Sequence, residues 1–492
     1  MTGERDPGTG DDSCAADDAG PRSGSDGGDD DGAGTIGASP GRTRRGVLAL
    51  AGGCTAALAG CSALEDRLGS ETETTVAGPA LARVADGEVP PVAEPTPVVP
   101  AESHVEAAAT RAREALSSVP APLGPEEIPN GAVRRELTRM HEAATEALDE
   151  AAAASSPVGR LAHLRTALED ARGVEAAWRA VDGDLGPEDV RADAAPVAED
   201  VRSFREGTWR YVGDDPVRAV LVHGTLERLV EEAIEGVEHV RARESEVRRE
   251  RAPGTPMAVG ELAGTLSRAR AALEDARHLY GRYRDSLAAE RDLRATFRRA
   301  GGTLETALED RVATLALPED REVTTIADRD VEGTPVAEAL ENLSYPLDDA
   351  DEFDRHRARG KLATVVLSAG ESLLAALAFA ALRTRVAAGE HVTVERAADV
   401  ERLRSAAVDG IETVREADRR PELTRWLADW LPDTVSRADE ELARYDDDEA
   451  IPASSLTRPL GSYVQVAALA RESPAAGDAV AAALGGGRGG GG

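Results

Sequence analysis

"ELAGTLSRARAALEDARHLYGRYRDSL", Glu261 to Leu287, is the stretch on which the fold turns. Its apolar residues Leu262, Leu266, Ala269, Leu273, Ala276, Tyr280, Tyr283 and Leu287 alternate steps of four and three throughout. A strict seven-residue repeat keeps one seam facing a neighbour, so the stretch predicts a long arm packed as a coiled coil or bundle hairpin. The partner it requires is a helix expected from Pro216 to about Glu250, with "RAPGTP", Arg251 to Pro256, as the turn.

The same period extends in both directions. Ser103 and Glu106 make a capping box before Val105, Ala109, Ala112 and Leu116, so a helix is expected to start there. Val133, Leu137, Met140, Ala144 and Leu148 form a second stripe, and Leu161, Leu164, Leu168, Ala171, Val174 and Trp178 a third. Downstream, Val400, Leu403, Ala407, Ile411 and Val414 form another, followed by Leu423, Trp426, Leu427, Trp430 and Leu431. The apolar run Leu362 to Leu382 has the length of a membrane span, but Glu371 sits near its middle, where a charge at the bilayer centre costs about 3 kcal/mol. It is expected as a central buried helix. No series of alternating strands with hairpin turns interrupts these patterns, so the fold class is all-α, with long amphipathic helices.

Composition sets the boundaries. Residues 1–60 read as a removed leader and residues 61–102 as a Pro-rich linker, since Pro79, Pro90, Pro91, Pro95, Pro97 and Pro100 deny it a helical period and favour an extended spacer. Residues 103–316 are expected as a helical bundle with the long hairpin, 317–335 as a linker, 336–472 as a second bundle, and 473–492 as a short helix with a Gly-rich tail.

Within the leader, Arg44 and Arg45 precede an uncharged segment from Gly46 to Gly60, which is too short to cross a bilayer needing about 20 residues. It ends in Leu58, Ala59, Gly60 and Cys61. The arginine pair and the glycine-diluted core resemble a twin-arginine export signal, and the ending resembles a lipobox. The resemblance implies export by the twin-arginine machinery, cleavage before Cys61, lipid on that cysteine, and residence on the outer face of the cytoplasmic membrane. The preceding 40 residues carry ten acidic and two basic residues and are expected to be disordered.

Net charge is −34, and only one of the 57 basic residues is a lysine, Lys361. An acidic, lysine-poor chain that remains 41% hydrophobic resembles the proteins of extremely halophilic archaea, for which molar salt screens self-repulsion within about 3 Å. No domain-sized basic face is present for nucleic acid. The three cysteines are Cys14, Cys54 and Cys61, so the expected mature chain has no cysteine beyond its anchor and relies on packing rather than disulfides.

Chemistry-bearing patterns are sparse. His223, Glu227, Glu231, Glu235 and His239 recur every fourth residue, and His223 with Glu227 is the best metal-ligand candidate. Each step of four turns about 400°, so the later rungs drift off the apolar face into solvent. "GTWRYVGDDP", Gly207 to Pro216, is either a ligand-lining loop or a packed turn with Asp215 at a helix start. "DRDVEG", Asp328 to Gly333, begins like a calcium loop but has Ala339 where a bidentate Glu belongs. Arg248 and Arg249, in a basic cluster near the end of the hairpin, are candidate partner contacts. No nucleophile elbow, phosphate loop or dinucleotide fingerprint is found, and no catalytic residue or cofactor is assigned. The sequence therefore points to a lipid-anchored helical protein of the cell envelope, serving as a structural or protein-interaction module. The alternatives are a helical solute- or metal-binding lipoprotein associated with transport and a helical metalloenzyme.

Overall fold

The computed structural model describes residues 74–485 except 94, 155, 182, 251–254, 318–330, 349, 391–392 and 447–449, and describes only the backbone of 243–250, 348 and 350. The arginine pair Arg44–Arg45 and Cys61 lie outside the described residues, as do the side chains of Arg248 and Arg249 and the first three positions of the calcium-like loop.

Proline and side-chain caps set the helix starts. Pro157, Pro187, Pro216, Pro256, Pro335 and Pro421 each occupy a first helical position, where the fixed φ fits and no N–H bond is lost. Asn130 Oδ1 accepts from the N–H groups of Ala132 and Val133, and the Thr255 and Thr334 hydroxyls accept from Ala258 and Ala337. The result is an all-α body, as the periodicity predicts.

Its elements begin with β1 (Thr75–Val76) and α1 (Gly78–Ala85). The first half continues with α2 (Glu102–Ser117), α3 (Gly131–Ala153), α4 (Pro157–Val181) and α5 (Pro187–Arg202), which ends in a π-helical turn at Ser203–Thr208. After β2 (Val212–Gly213) come α6 (Pro216–Glu250) and α7 (Pro256–Asp285). The second half runs from β3 (Arg291–Asp292) through α8 (Arg294–Leu315), α9 (Pro335–Ser344), α10 (Ala350–Ala358), α11 (Leu362–Ala387) and α12 (Ala397–Arg415). It closes with α13 (Pro421–Trp426), α14 (Leu431–Ala443), β4 (Ile451–Pro452) and α15 (Thr457–Ala483).

The heptad seam of α7 is buried from Leu262 to Tyr283, with Leu287 half-buried at its end. The α6–α7 pairing forms, but α7 packs on α4 as well. A second face, including Val259, Gly260, Gly264, Ala272 and Leu279, is also buried. Glycine makes this possible: a Cβ on Gly260 would lie 2.5 Å from the Gly173 carbonyl oxygen, and one on Gly264 2.7 Å from that of Glu169. The hairpin is thus one layer of a bundle rather than a projecting two-stranded arm.

In the second half α11 and α15 are central. Sixteen of the 26 residues of α11 are buried, among them Val366, Phe379 and Leu382. The helix is long and apolar enough to cross a membrane, but its apolar surface is used against α6, α8, α9 and α15.

Four expected features are corrected. The Pro-rich segment is not an extended spacer throughout: β1 pairs antiparallel with β4, Thr75 opposite Pro452 and Val76 opposite Ile451. α1 then packs on α12 and α14, with Leu81 fully buried. Burying Val76, Leu81, Val92 and Val98 in the main core outweighs the absence of a regular period. The helix expected from a Ser103–Glu106 capping box starts at Glu102 without a side-chain cap; the Ala101 N–H instead donates to His278 Nε2 at 2.9 Å, tying α2 to α7. Among the described residues, the bundles expected on either side of 317–335 share one core, because α8 packs on α11 and Val331 and Val336 join the core of both halves. Finally, α15 runs through Pro474 to Ala483 rather than ending near Glu472, with Ser473, Ala476 and Val480 buried.

Candidate functional site

His223 and Glu227 lie on α6 where it meets the start of α11. His223 is fully buried among Trp209, Tyr211, Tyr283 and Phe297. The Trp209 indole N–H donates to its Nδ1 at 3.0 Å. That leaves Nε2 as the protonated nitrogen, donating to the Val212 carbonyl at 2.9 Å. The ring is therefore neutral, and desolvation pushes its pKa down to about 4.

Glu227 is 2% exposed and accepts four hydrogen bonds. Oε1 accepts from the Tyr211 hydroxyl at 2.6 Å and the Ala363 N–H at 2.9 Å. Oε2 accepts from the Thr364 N–H at 2.6 Å and the Thr364 hydroxyl at 2.5 Å. Two of these donors are backbone groups in the first turn of α11, which has no side-chain cap of its own at Lys361. Glu227 thus caps a helix from outside it, where the dipole favours negative charge. Burial still raises its pKa above the ordinary carboxylate value, against the pull of the four donors. Tyr211 Oη also lies 2.6 Å from the Gly360 carbonyl, so its single proton serves one of two acceptors at a time.

The metal reading of His223 and Glu227 is corrected by this geometry. Both ring nitrogens and both carboxylate oxygens are engaged by protein donors and acceptors, and among the described residues no group of three or more His, Cys, Asp or Glu is placed to hold a metal. The rest of the ladder drifts outward as its angular step requires: Glu231 is half-buried and bound to Arg359 at 2.6 Å, while Glu235 and His239 are exposed. The Trp209–Tyr211 loop is a packed turn, and Asp215 Oδ1 caps α6 by accepting from the Arg218 N–H at 2.8 Å.

What the buried knot positions is a cleft of about 660 Å³ between α6 and α11. Thr364, held twice by Glu227, lies on its floor with Lys361, Ser368 and Glu371. Arg228, Glu231, Glu232 and Glu235 of α6 form one wall, and Trp426 and Asp429 stand opposite. The backbones come close here, since a Cβ on Gly224 would sit 2.5 Å from Leu367 Cδ1. Five carboxylates face two cations, one of them the only lysine of the chain. Glu231 is paired with Arg359, and Glu232 with Arg165 and Arg268 at 3.3 and 2.7 Å.

A groove of about 360 Å³ between α4 and α7 carries four arginines, but Arg111 is paired with Glu274 at 2.8 Å and Arg172 with Glu175 at 2.5 Å. Of the cleft residues, the sequence names Glu231, Glu235, Lys361, Glu371 and Trp426, each for a reason other than a shared site. The missing signal is tertiary, because Lys361 and Trp426 are 65 positions apart and no sequence pattern joins them.

Residues 103–290 match a family described as a domain of unknown function, DUF8262, and residues 294–482 match a second, DUF8264. No curated protein and no solved structure gives a match. The boundary between the two matched segments falls at β3, and the cleft draws its walls from both.

Proposed function

We propose that the chain is a lipid-anchored binding module on the outer face of the cytoplasmic membrane, and that the cleft between its two family-matched segments receives its ligand. The observation that carries the binding role is the cleft: a concave site at the junction of two segments is a common place for a ligand, and here charged groups and Trp426 converge on it. The envelope placement is supported by the Arg44–Arg45 pair and the small residues before Cys61. Thr74 follows Cys61 by 13 positions, a reach of at most about 45 Å for a tether. The net charge of −34 suits a body working in molar salt.

Three measurements test the reading. The intact mass of native protein is expected to show lipid on Cys61 and loss of residues 1–60, and a Cys61→Ser variant is expected in the soluble fraction. A bare thiol with the leader attached removes the envelope assignment. Native mass spectrometry of protein recovered from membranes is expected to show a bound species that the Trp426→Ala variant loses; equal retention by both proteins removes the cleft from the function.

A further inference from the structure

The cleft does not end at Glu371. A second cavity of about 340 Å³ opens there, and Ser368 and Glu371 line both. Beyond Glu371 the lining becomes more apolar, with Leu343, Leu374, Ala375, Leu427, Leu469 and Trp430 beside the polar Asn342, Glu352, Ser372 and Gln465. Trp426, the last residue of α13, lines the charged chamber and Trp430, just before α14, lines the more apolar one, four residues further on. Trp430 is 37% exposed, one of three large apolar side chains left open to solvent among the described residues. A chain with only four tryptophans therefore places two of them along one groove.

The two chambers present different chemistries in a line along α11. In the first, Glu235, Glu371 and Asp429 line the walls with Arg228 and Lys361. Glu231 and Glu232 pair with Arg359, Arg165 and Arg268 outside the lining, and within the lining five carboxylates stand against two cations. The indole of Trp426 adds a face that attracts cations. In the second, aliphatic carbons and an indole offer burial to apolar atoms, at about 0.8 kcal/mol per methylene.

Building on the binding role proposed above, we infer that this groove takes an amphiphilic cation, its charged head among Glu235, Glu371 and Asp429 beside Trp426 and its apolar tail along Trp430 and Leu469. Charge complementarity selects the sign of the head. The apolar chamber beyond Glu371 requires the tail.

Calorimetric titration of the full-length protein in molar sodium chloride tests this with three probes: decyltrimethylammonium below its micelle concentration, tetramethylammonium and decanoate. Decyltrimethylammonium is expected to bind one to one and at least about tenfold more tightly than either of the others. Trp430→Ala, an exposed position, is expected to weaken decyltrimethylammonium about tenfold while leaving tetramethylammonium unchanged. Glu371→Gln is expected to weaken both cations. Unaltered melting curves show that the two variants fold. Equal affinity for the two cations makes the apolar chamber idle and overturns the inference, as does tighter binding of decanoate. Binding of no probe also overturns it, and the native mass spectra then show separately whether the cleft holds a ligand of another class.

Discussion

Glu227 and Asp439 are carboxylates buried to similar degrees, 2% and 7% exposed, in the two halves of the molecule, and they are held in opposite ways. Asp439 of α14 meets a full countercharge. The Arg404 guanidinium of α12 grips it through two bonds of 2.9 and 2.8 Å, and the Tyr463 hydroxyl of α15 donates to it. Arg404 also donates to the Gly87 carbonyl, so this knot holds the N-terminal segment on the second half. Among the described residues no cation pairs with Glu227, which is held by neutral donors and a helix terminus. The difference teaches what each knot is for. An ion pair resists dismantling, because either partner alone is left charged in the core. A carboxylate on neutral donors tolerates partial change and sets position more than stability.

The largest expected effect comes from breaking the ion pair. Arg404→Ala strands Asp439 and is expected to cost about 3–5 kcal/mol in urea unfolding at molar salt. It should also speed hydrogen exchange near Gly87. An Arg404→Ala/Asp439→Ala double variant that costs as much as the sum of the two single changes would show that the pair is not coupled.

Next in size is the pH dependence of the first half. The His223 proton is favoured in the unfolded chain, with a pKa of 6.5 against about 4 when folded. Its contribution to stability is therefore present above pH 6.5, is lost as pH falls through that window, and levels off below about 4, a change of about 3 kcal/mol. Glu227 has the opposite sign, since its raised pKa favours the protonated fold and loses stability as pH rises. His223→Gln is expected to flatten the acid limb; an unchanged limb would assign it to other groups.

Glu227→Gln sharpens the comparison. It keeps the shape but turns an NH2 group toward donors, at an expected cost of about 1–3 kcal/mol. Because Glu227 fixes Thr364 on the cleft floor, ligand affinity should fall along with stability, whereas Arg404→Ala should leave affinity in the residual folded protein unchanged. The smallest effect is that of Tyr211→Phe, about 1 kcal/mol in the same unfolding assay, since Ala363 and Thr364 still satisfy the carboxylate.

Part of this comparison is legible in the sequence. The seven-residue repeat yields the α6–α7 pairing because helix period and burial follow from the same spacing. The angular drift of the ladder sends Glu235 and His239 to solvent, where the structure has them. His223 and Glu227 stand out as functional types on an apolar face, yet spacing carries no trace of their partners Trp209, Val212 and Thr364. The segment before Glu102 reads as a spacer because its order depends on strand pairing with Ile451 and on Arg404, neither of which leaves a local mark.

By itself the sequence determined the helical class, the acidic composition, the lack of any cysteine after Cys61 and the resemblance of residues 41–61 to a lipoprotein signal, since each rests on composition or on contacts within a few turns. The tertiary structure alone decided that α7 would be buried on two faces, that Glu227 would cap α11, and that Lys361, Glu371 and Trp426 would converge on one cleft. The reason is physical. Helix formation answers to neighbours three and four residues away, whereas desolvating a carboxylate or opening a cleft depends on groups that only long-range packing brings together.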